Sequence, residues 1–129
     1  MKFEEIREVL SLQFGEDVFK VTNHKTNHPI VQVPVDKLIK VCLFLNRDER
    51  LYFDYLTSLT GIDNGPEKGT LEVVYHFVSI PYEHSFILKV EFPRNTTSIP
   101  SISAIWKTAD WHERETYDLV GIVFNNHPD

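Results

Sequence analysis

The side chains able to do chemistry crowd one stretch near the C-terminus: Trp111-His112-Glu113-Arg114-Glu115-Thr116-Tyr117-Asp118-Leu119-Val120-Gly121-Ile122. Glu113, Glu115 and Asp118 form a candidate acid/base set. No serine or histidine nucleophile pair is indicated beside them. His112-Glu113 begins like the zinc-protease motif H-E-x-x-H, which needs a second imidazole four positions on, and position 116 is Thr. His24 and His28 are four apart, but on a strand-and-turn reading they share no helical face, so both read as loop residues. His76 and His84 flank a hairpin and read as surface or partly buried polar groups. The single cysteine, Cys42, allows no intrachain disulfide and no cysteine cluster for zinc or iron–sulfur. Neither G-x-G-x-x-G nor G-x-x-x-x-G-K-[ST] occurs, so no nucleotide cradle is expected.

These residues need a helix to hold them. Asp110 is placed to cap one, and Glu113 three positions later completes a D-x-x-E capping box. Gly121 reads as the stop, because glycine adopts the left-handed conformation cheaply. The expected helix runs from Trp111 to Val120. Trp111, Glu115 and Asp118 then project from one side, and Arg114 can pair with Asp118. The cap accounts for Glu113. What remains is a solvated face, or a charged helix that defines the fold or docks onto another protein.

A chain of 129 residues, 42% hydrophobic and 25% charged, fits one globular domain. Its net charge of −6 argues against a basic nucleic-acid surface, without excluding an acidic protein that docks onto a larger assembly. Met1-Lys2-Phe3-Glu4-Glu5 does not read as a signal peptide. No apolar run is long enough for a transmembrane helix, so membrane association is expected only through a partner.

Phe3, Ile6, Val9 and Leu10 recur at helical spacing up to Gly15. Asp17 to Thr22 reads as a strand, 23–29 as a polar turn, and Ile30, Val31 and Val33 as the strand closing a hairpin. Asp36 is expected to cap a helix with Leu38, Val41, Cys42 and Leu45 buried. Tyr52, Phe53, Tyr55, Leu56 and Leu59 form an apolar segment of helical or mixed type. Asn64 to Gly69 is a turn cluster. Leu71, Val73, Tyr75 and Phe77, then Phe86, Leu88, Val90 and Phe92, alternate as two strands of a hairpin turning at Ile80 to His84. Ile102, Ile105 and Trp106 suggest a short helix, and Ile122 to Phe124 a short last strand. The expected fold class is α+β: a two-layer sandwich with an antiparallel or mixed sheet and helices packed on one face, as a single domain over 1–129.

With these residues in view, the chain resembles the C-subunit of the proton-pumping NADH:quinone oxidoreductase, respiratory complex I. Glu113 to Ile122, with Phe124, His127 and Pro128, is similar to that family's E-R-E-x-Y-D-L-x-G-I-x-F…H-P signature. Phe53 to Asp63 resembles its F-x-x-L-x-x-x-x-G-x-D segment, and Glu72-Val73-Val74-Tyr75-His76 its E-V-V-Y-H strand. Pro100-Ser101-Ile102 and Ala109-Asp110-Trp111 resemble its V-P-S and A-x-W landmarks. Val120 departs mildly, standing where the family often has Phe. The family pattern also continues past His-Pro, whereas this chain stops at Asp129, which suggests a truncated chain or a short paralogue.

The resemblance implies a two-layer α+β subunit of the peripheral arm, on the cytoplasmic side of a bacterial membrane, without direct membrane insertion. It implies no cofactor in this chain; NAD, FMN, iron–sulfur clusters and quinone belong to other subunits. It implies partners among the peripheral-arm subunits, chiefly the D-subunit that holds the quinone site, and no nucleic acid. The implied docking residues are Glu113, Arg114, Glu115, Tyr117, Asp118, Gly121, His127 and Pro128, with no catalytic residue. Two alternatives stay open: the homologous subunit of a membrane-bound hydrogenase or formate hydrogenlyase-type complex, and an independent small-molecule enzyme using the carboxylate helix.

Overall fold

A computed structural model of the chain describes residues 1–22 and 28–126. Its centre is the pair β4 (Thr70–Ser79) and β5 (His84–Pro93), antiparallel and in continuous register from Thr70↔Pro93 to Ser79↔His84. Strict alternation puts Leu71, Val73, Tyr75 and Phe77 beside Phe92, Val90, Leu88 and Phe86, and all eight are buried. The turn is tighter than expected. His84 already belongs to β5, is only 6% exposed, and holds the Leu51 carbonyl through Nε2 at 2.6 Å. It is a buried structural residue, not a surface one.

Beside β4 lies β3 (Tyr55–Asp63), an edge strand. This segment is a strand, not the helical or mixed element expected from its apolar spacing. The register shifts between Leu56 and Ser58, a β-bulge, so Leu56 faces Phe77 and Leu59 faces Tyr75 on the same core side. The extra residue turns a two-residue period into a three-residue gap, which mimics a helix.

On the other side of β5, β2 (Ile30–Gln32) pairs in parallel, and β1 (Lys20–Val21) closes the order β1-β2-β5-β4-β3 as an antiparallel edge. The expected strand at Asp17 shrinks to these two residues, because Glu16–Val18 winds into a 3-10 turn after Gly15, whose φ is +95°.

Helix α1 (Phe3–Phe14) begins with the Glu5 carboxylate accepting the Lys2 N–H at 2.9 Å. Its Ile6 and Leu10 are buried, and Phe3 stacks on Phe86 at 6.1 Å. Helix α2 (Leu38–Arg47) buries Leu38, Val41, Cys42 and Leu45 as expected. Asp36 does not cap it. A 3-10 turn, Val35–Lys37, leads directly into α2, and no side chain caps the helix. One helical turn, α3 (Gly65–Lys68), joins β3 to β4.

The short helix expected at Ile102 to Trp106 is instead a series of turns, in which the Ile105 and Trp106 N–H groups both bond the Ile102 carbonyl. Trp106 donates to the Phe53 carbonyl at 2.9 Å and lies 4.6 Å from Phe77. Two short parallel strands, β6 (Ile99–Pro100) and β7 (Phe124–Asn125), bracket α4 (Ala109–Val120). The result is α+β: a five-stranded mixed sheet with α1, α2 and α4 on one face.

Candidate functional site

Helix α4 carries the chemically dense stretch, and it starts differently from expectation. It begins at Ala109, with Thr108 as the residue before it and no side-chain cap. Asp110 sits inside the first turn, where its charge suits the positive end of the helix dipole. The capping box does not form, because Glu113 points the other way. It is 1% exposed, and its carboxylate accepts the Ser101 hydroxyl at 2.6 Å and the Ile102 N–H at 2.9 Å. Ser101 Oγ in turn accepts the Ser103 N–H at 3.1 Å. Glu113 is a clasp that fastens α4 to the turns before it. A buried N–H without an acceptor is costly, and a carboxylate supplies strong, short hydrogen bonds.

Ala109, Glu113 and Thr116 form the buried face of α4, at i, i+4 and i+7. That face lies on β3 at Gly61. A Cβ on Gly61 would meet Thr116 Cγ2 at 2.5 Å and Ile122 Cδ1 at 3.2 Å. Glycine is needed there for close approach of helix and strand. At the far end Gly121, with φ +83°, donates to the Tyr117 carbonyl at 2.8 Å and turns the chain toward β7.

The outer face of α4 holds four of the implied docking residues, Arg114, Glu115, Tyr117 and Asp118, together with Trp111 and Leu119. Trp111 is 67% exposed, Tyr117 55% and Leu119 78%. Arg114, Glu115 and Asp118 are exposed as well. Arg114 pairs back with Asp110 at 3.7 Å rather than forward with Asp118. The helix therefore divides its signature residues: Glu113 faces inward, and Arg114, Glu115, Tyr117 and Asp118 face solvent. His127 and Pro128 lie outside the described residues, as do His24 and most of the 23–29 turn.

This arrangement limits the chemistry. Both Glu113 oxygens are occupied within the fold. Burial pushes the Cys42 thiol far up, so it carries no reactive thiolate. Burial, then the proximity of Cys42 and Glu113, raises the Tyr75 phenol well above its ordinary value. The cavity at the end of α4, about 30 Å³ and lined by Leu71, Phe92, Ile99, Gly121 and Ile122 among others, reaches none of the helix carboxylates. Residue patterns alone missed Ser101 and the Ile102 N–H as partners of Glu113. The spacing of Glu113 from Asp110 invited a local explanation, whereas the true partners lie a dozen residues upstream.

Residues 31–129 match the family described as the respiratory-chain NADH dehydrogenase 30 kDa subunit. The chain belongs to that family. The NADH-quinone oxidoreductase C-subunit of Chloroherpeton thalassium is 41% identical over 122 residues, covering 94% of this chain and 50% of the relative. The F(420)H(2) dehydrogenase C-subunit of Methanosarcina mazei is 41% identical over 97 residues, 75% of this chain and 60% of the relative. Among solved structures, the trypsin-resistant fragment (1–134) of Nqo5 superposes with a TM-score of 0.78 at 26% identity, covering 100% of this chain and 99% of that one. A chain of an archaeal membrane-bound sulfane sulfur reductase shares the fold, with a TM-score of 0.80 at 22% identity, covering 98% of this chain and 72% of that one. Relative to its family, this chain spans about half the length of the Chloroherpeton protein.

Proposed function

We propose that this 30 kDa-family domain is a non-catalytic docking subunit of the peripheral arm of an NADH:quinone oxidoreductase. It supports electron transfer from NADH to quinone by holding its neighbours in place, and the quinone-site subunit is its chief partner. The observation that carries this reading is α4: an aromatic and charged face, with Trp111, Tyr117 and Leu119 in solvent, on a helix locked from below by Glu113. Isolated exposed apolar residues are ordinary, but three large ones on a single helix beside exposed charges suit a partner surface. Cofactors, in this reading, belong to the other subunits. No described helix is long and apolar enough to cross a membrane. In this reading the domain is a peripheral subunit on the cytoplasmic side, held through its partners.

Glu113 supports a structural over a catalytic reading of the helix, since an acid or base must reach its substrate and this carboxylate is 1% exposed. A second reading keeps the module and changes the complex. The identity to the F(420)H(2) dehydrogenase relative equals that to the NADH-quinone one, 41% in both, over a shorter span. Gene neighbours distinguish the two.

Co-expression with the quinone-site subunit tests the docking reading. A stable complex is expected. Glu115→Ala should weaken it while leaving thermal unfolding unchanged, and Trp111→Ala should weaken it further. Assembly unaffected by both substitutions refutes the role given to α4.

A further inference from the structure

Among the described residues, no strand pairs with the outer edge of β3. Its inner side pairs with β4 in unbroken register from Ser58↔His76 to Asp63↔Leu71. Among the described residues, no backbone group of another element besides β4 bonds to the β3 backbone, and one side chain does: the Thr108 hydroxyl donates to the Leu56 carbonyl at 3.4 Å. Open edges are normally blunted by lysine, proline, inward charges or shortness. The opposite edge, β1, is two residues long. β3 runs for nine, and from Tyr55 to Ile62 it contains no charge and no proline. The acids at its ends are engaged elsewhere: Asp54 accepts the Ile80 N–H, and Asp63 is paired with Arg94 and accepts the Gly65 N–H. The bulge lies at the start, and from Ser58 to Ile62 the register with β4 is regular.

We propose that the edge of β3 from Ser58 to Ile62 is a strand-addition site, filled in the assembled complex by an extended, uncharged segment with basic flanks from a partner protein of that complex. This rests on the docking reading above and deepens it. Unmet N–H and C=O groups in a row fit extended backbone and little else. Five residues of strand span about 17 Å, far too little by itself for a stable interface of roughly 1,200–2,000 Å². The occupant must therefore belong to a body that covers more surface. The outer face of α4, packed over the same strand, provides it. The charge there decides between partners. Arg114 is paired with Asp110, while Glu115 and Asp118 stand exposed, and the whole chain carries −6. A second copy would set acid against acid, whereas basic flanks would be attracted.

Amide hydrogen exchange on the full chain, alone and co-purified with the quinone-site subunit, tests this. The outward amides between Ser58 and Ile62 should slow by about tenfold or more on complex formation, together with protection of α4. A complex that protects α4 but leaves 58–62 exchanging as in the free chain overturns strand addition while docking stands. Absence of any complex overturns both. Protection of 58–62 in the chain alone, rising with concentration alongside a dimer mass by light scattering, makes the occupant a second copy and overturns the assignment to a different protein.

Discussion

Glu113 shows how a single side chain can carry a local appearance and a different tertiary function. Its spacing from Asp110 suggests a cap, but the carboxylate closes the turn at Ser101 and Ile102 instead. Glu113→Ala should cost about 3 kcal/mol in urea unfolding, because it strands a buried hydroxyl and an N–H and leaves a void. Glu115→Ala, on the exposed face, should change stability by no more than about 0.5 kcal/mol. Tyr75 presents the reverse case. Its hydroxyl is buried and, among the described residues, has no hydrogen-bond partner. Tyr75→Phe should leave stability unchanged or raise it by up to about 1 kcal/mol, as read from the urea midpoint. His76 titrates with a predictable sign. Burial, and then His28 nearby, holds it below its ordinary value. The unfolded chain therefore takes up this proton first. The stability due to neutral His76 is complete above about pH 6.5 and declines as pH falls through that value toward the folded pKa. Stability measured at pH 7.5 and 5.5 should fall less in His76→Gln than in the parent chain.

At the scale of elements, Gly61 sets the distance between α4 and β3. Gly61→Ala drives a methyl into Thr116 Cγ2, and should cost about 1–3 kcal/mol. Adding Thr116→Ser removes the carbon that is struck, so the double variant should recover part of the loss in thermal unfolding; full additivity of the two costs would refute the contact. The elements that residue patterns predict well are those in which one face alone meets the core. β4 and β5 alternate cleanly, and α1 and α2 show unbroken helical stripes with Gly15 as a stop after α1. The misread elements each have a local irregularity. The bulge at Thr57 disguises β3, the 3-10 turn at Val35–Lys37 displaces Asp36 from the helix start, and the Ile102 carbonyl closes a turn by accepting the Ile105 and Trp106 N–H groups, where Ile102, Ile105 and Trp106 have helical spacing. The parallel pairing of β2 with β5 is invisible locally, since it joins segments more than fifty residues apart. For the site, that Trp111, Glu115 and Asp118 share one side of α4 was legible from helical spacing; that this side faces solvent, and that Glu113 turns inward, was not.

In the whole molecule, the sheet's two faces differ. One is sealed by α1, α2 and α4, while the other bears half-buried Val74, His76 and Val78 with Lys89 set between Glu72 at 3.4 Å and Glu91 at 4.0 Å. Acid should undo such a fold in a second, lower window. Arg94 beside Asp63 and Arg50 beside Asp48 hold those carboxyls below the usual range. For Glu91, burial pushes upward but Thr70 and Lys68 outweigh it, so it too is lowered. Their stabilisation is whole above about pH 4 and disappears as pH drops through the folded values, giving an acid transition that steepens below that point. Cys42 adds something of practical use. It is the chain's one thiol, it is 0% exposed, and it sits where α2 meets the sheet. A reagent reaches it only when the packing between α2 and the core opens. The rate at which a thiol reagent labels the native protein is therefore a clock for that opening, and the change in that rate when a partner is added measures how much of the assembly's binding free energy reaches the interior of this domain.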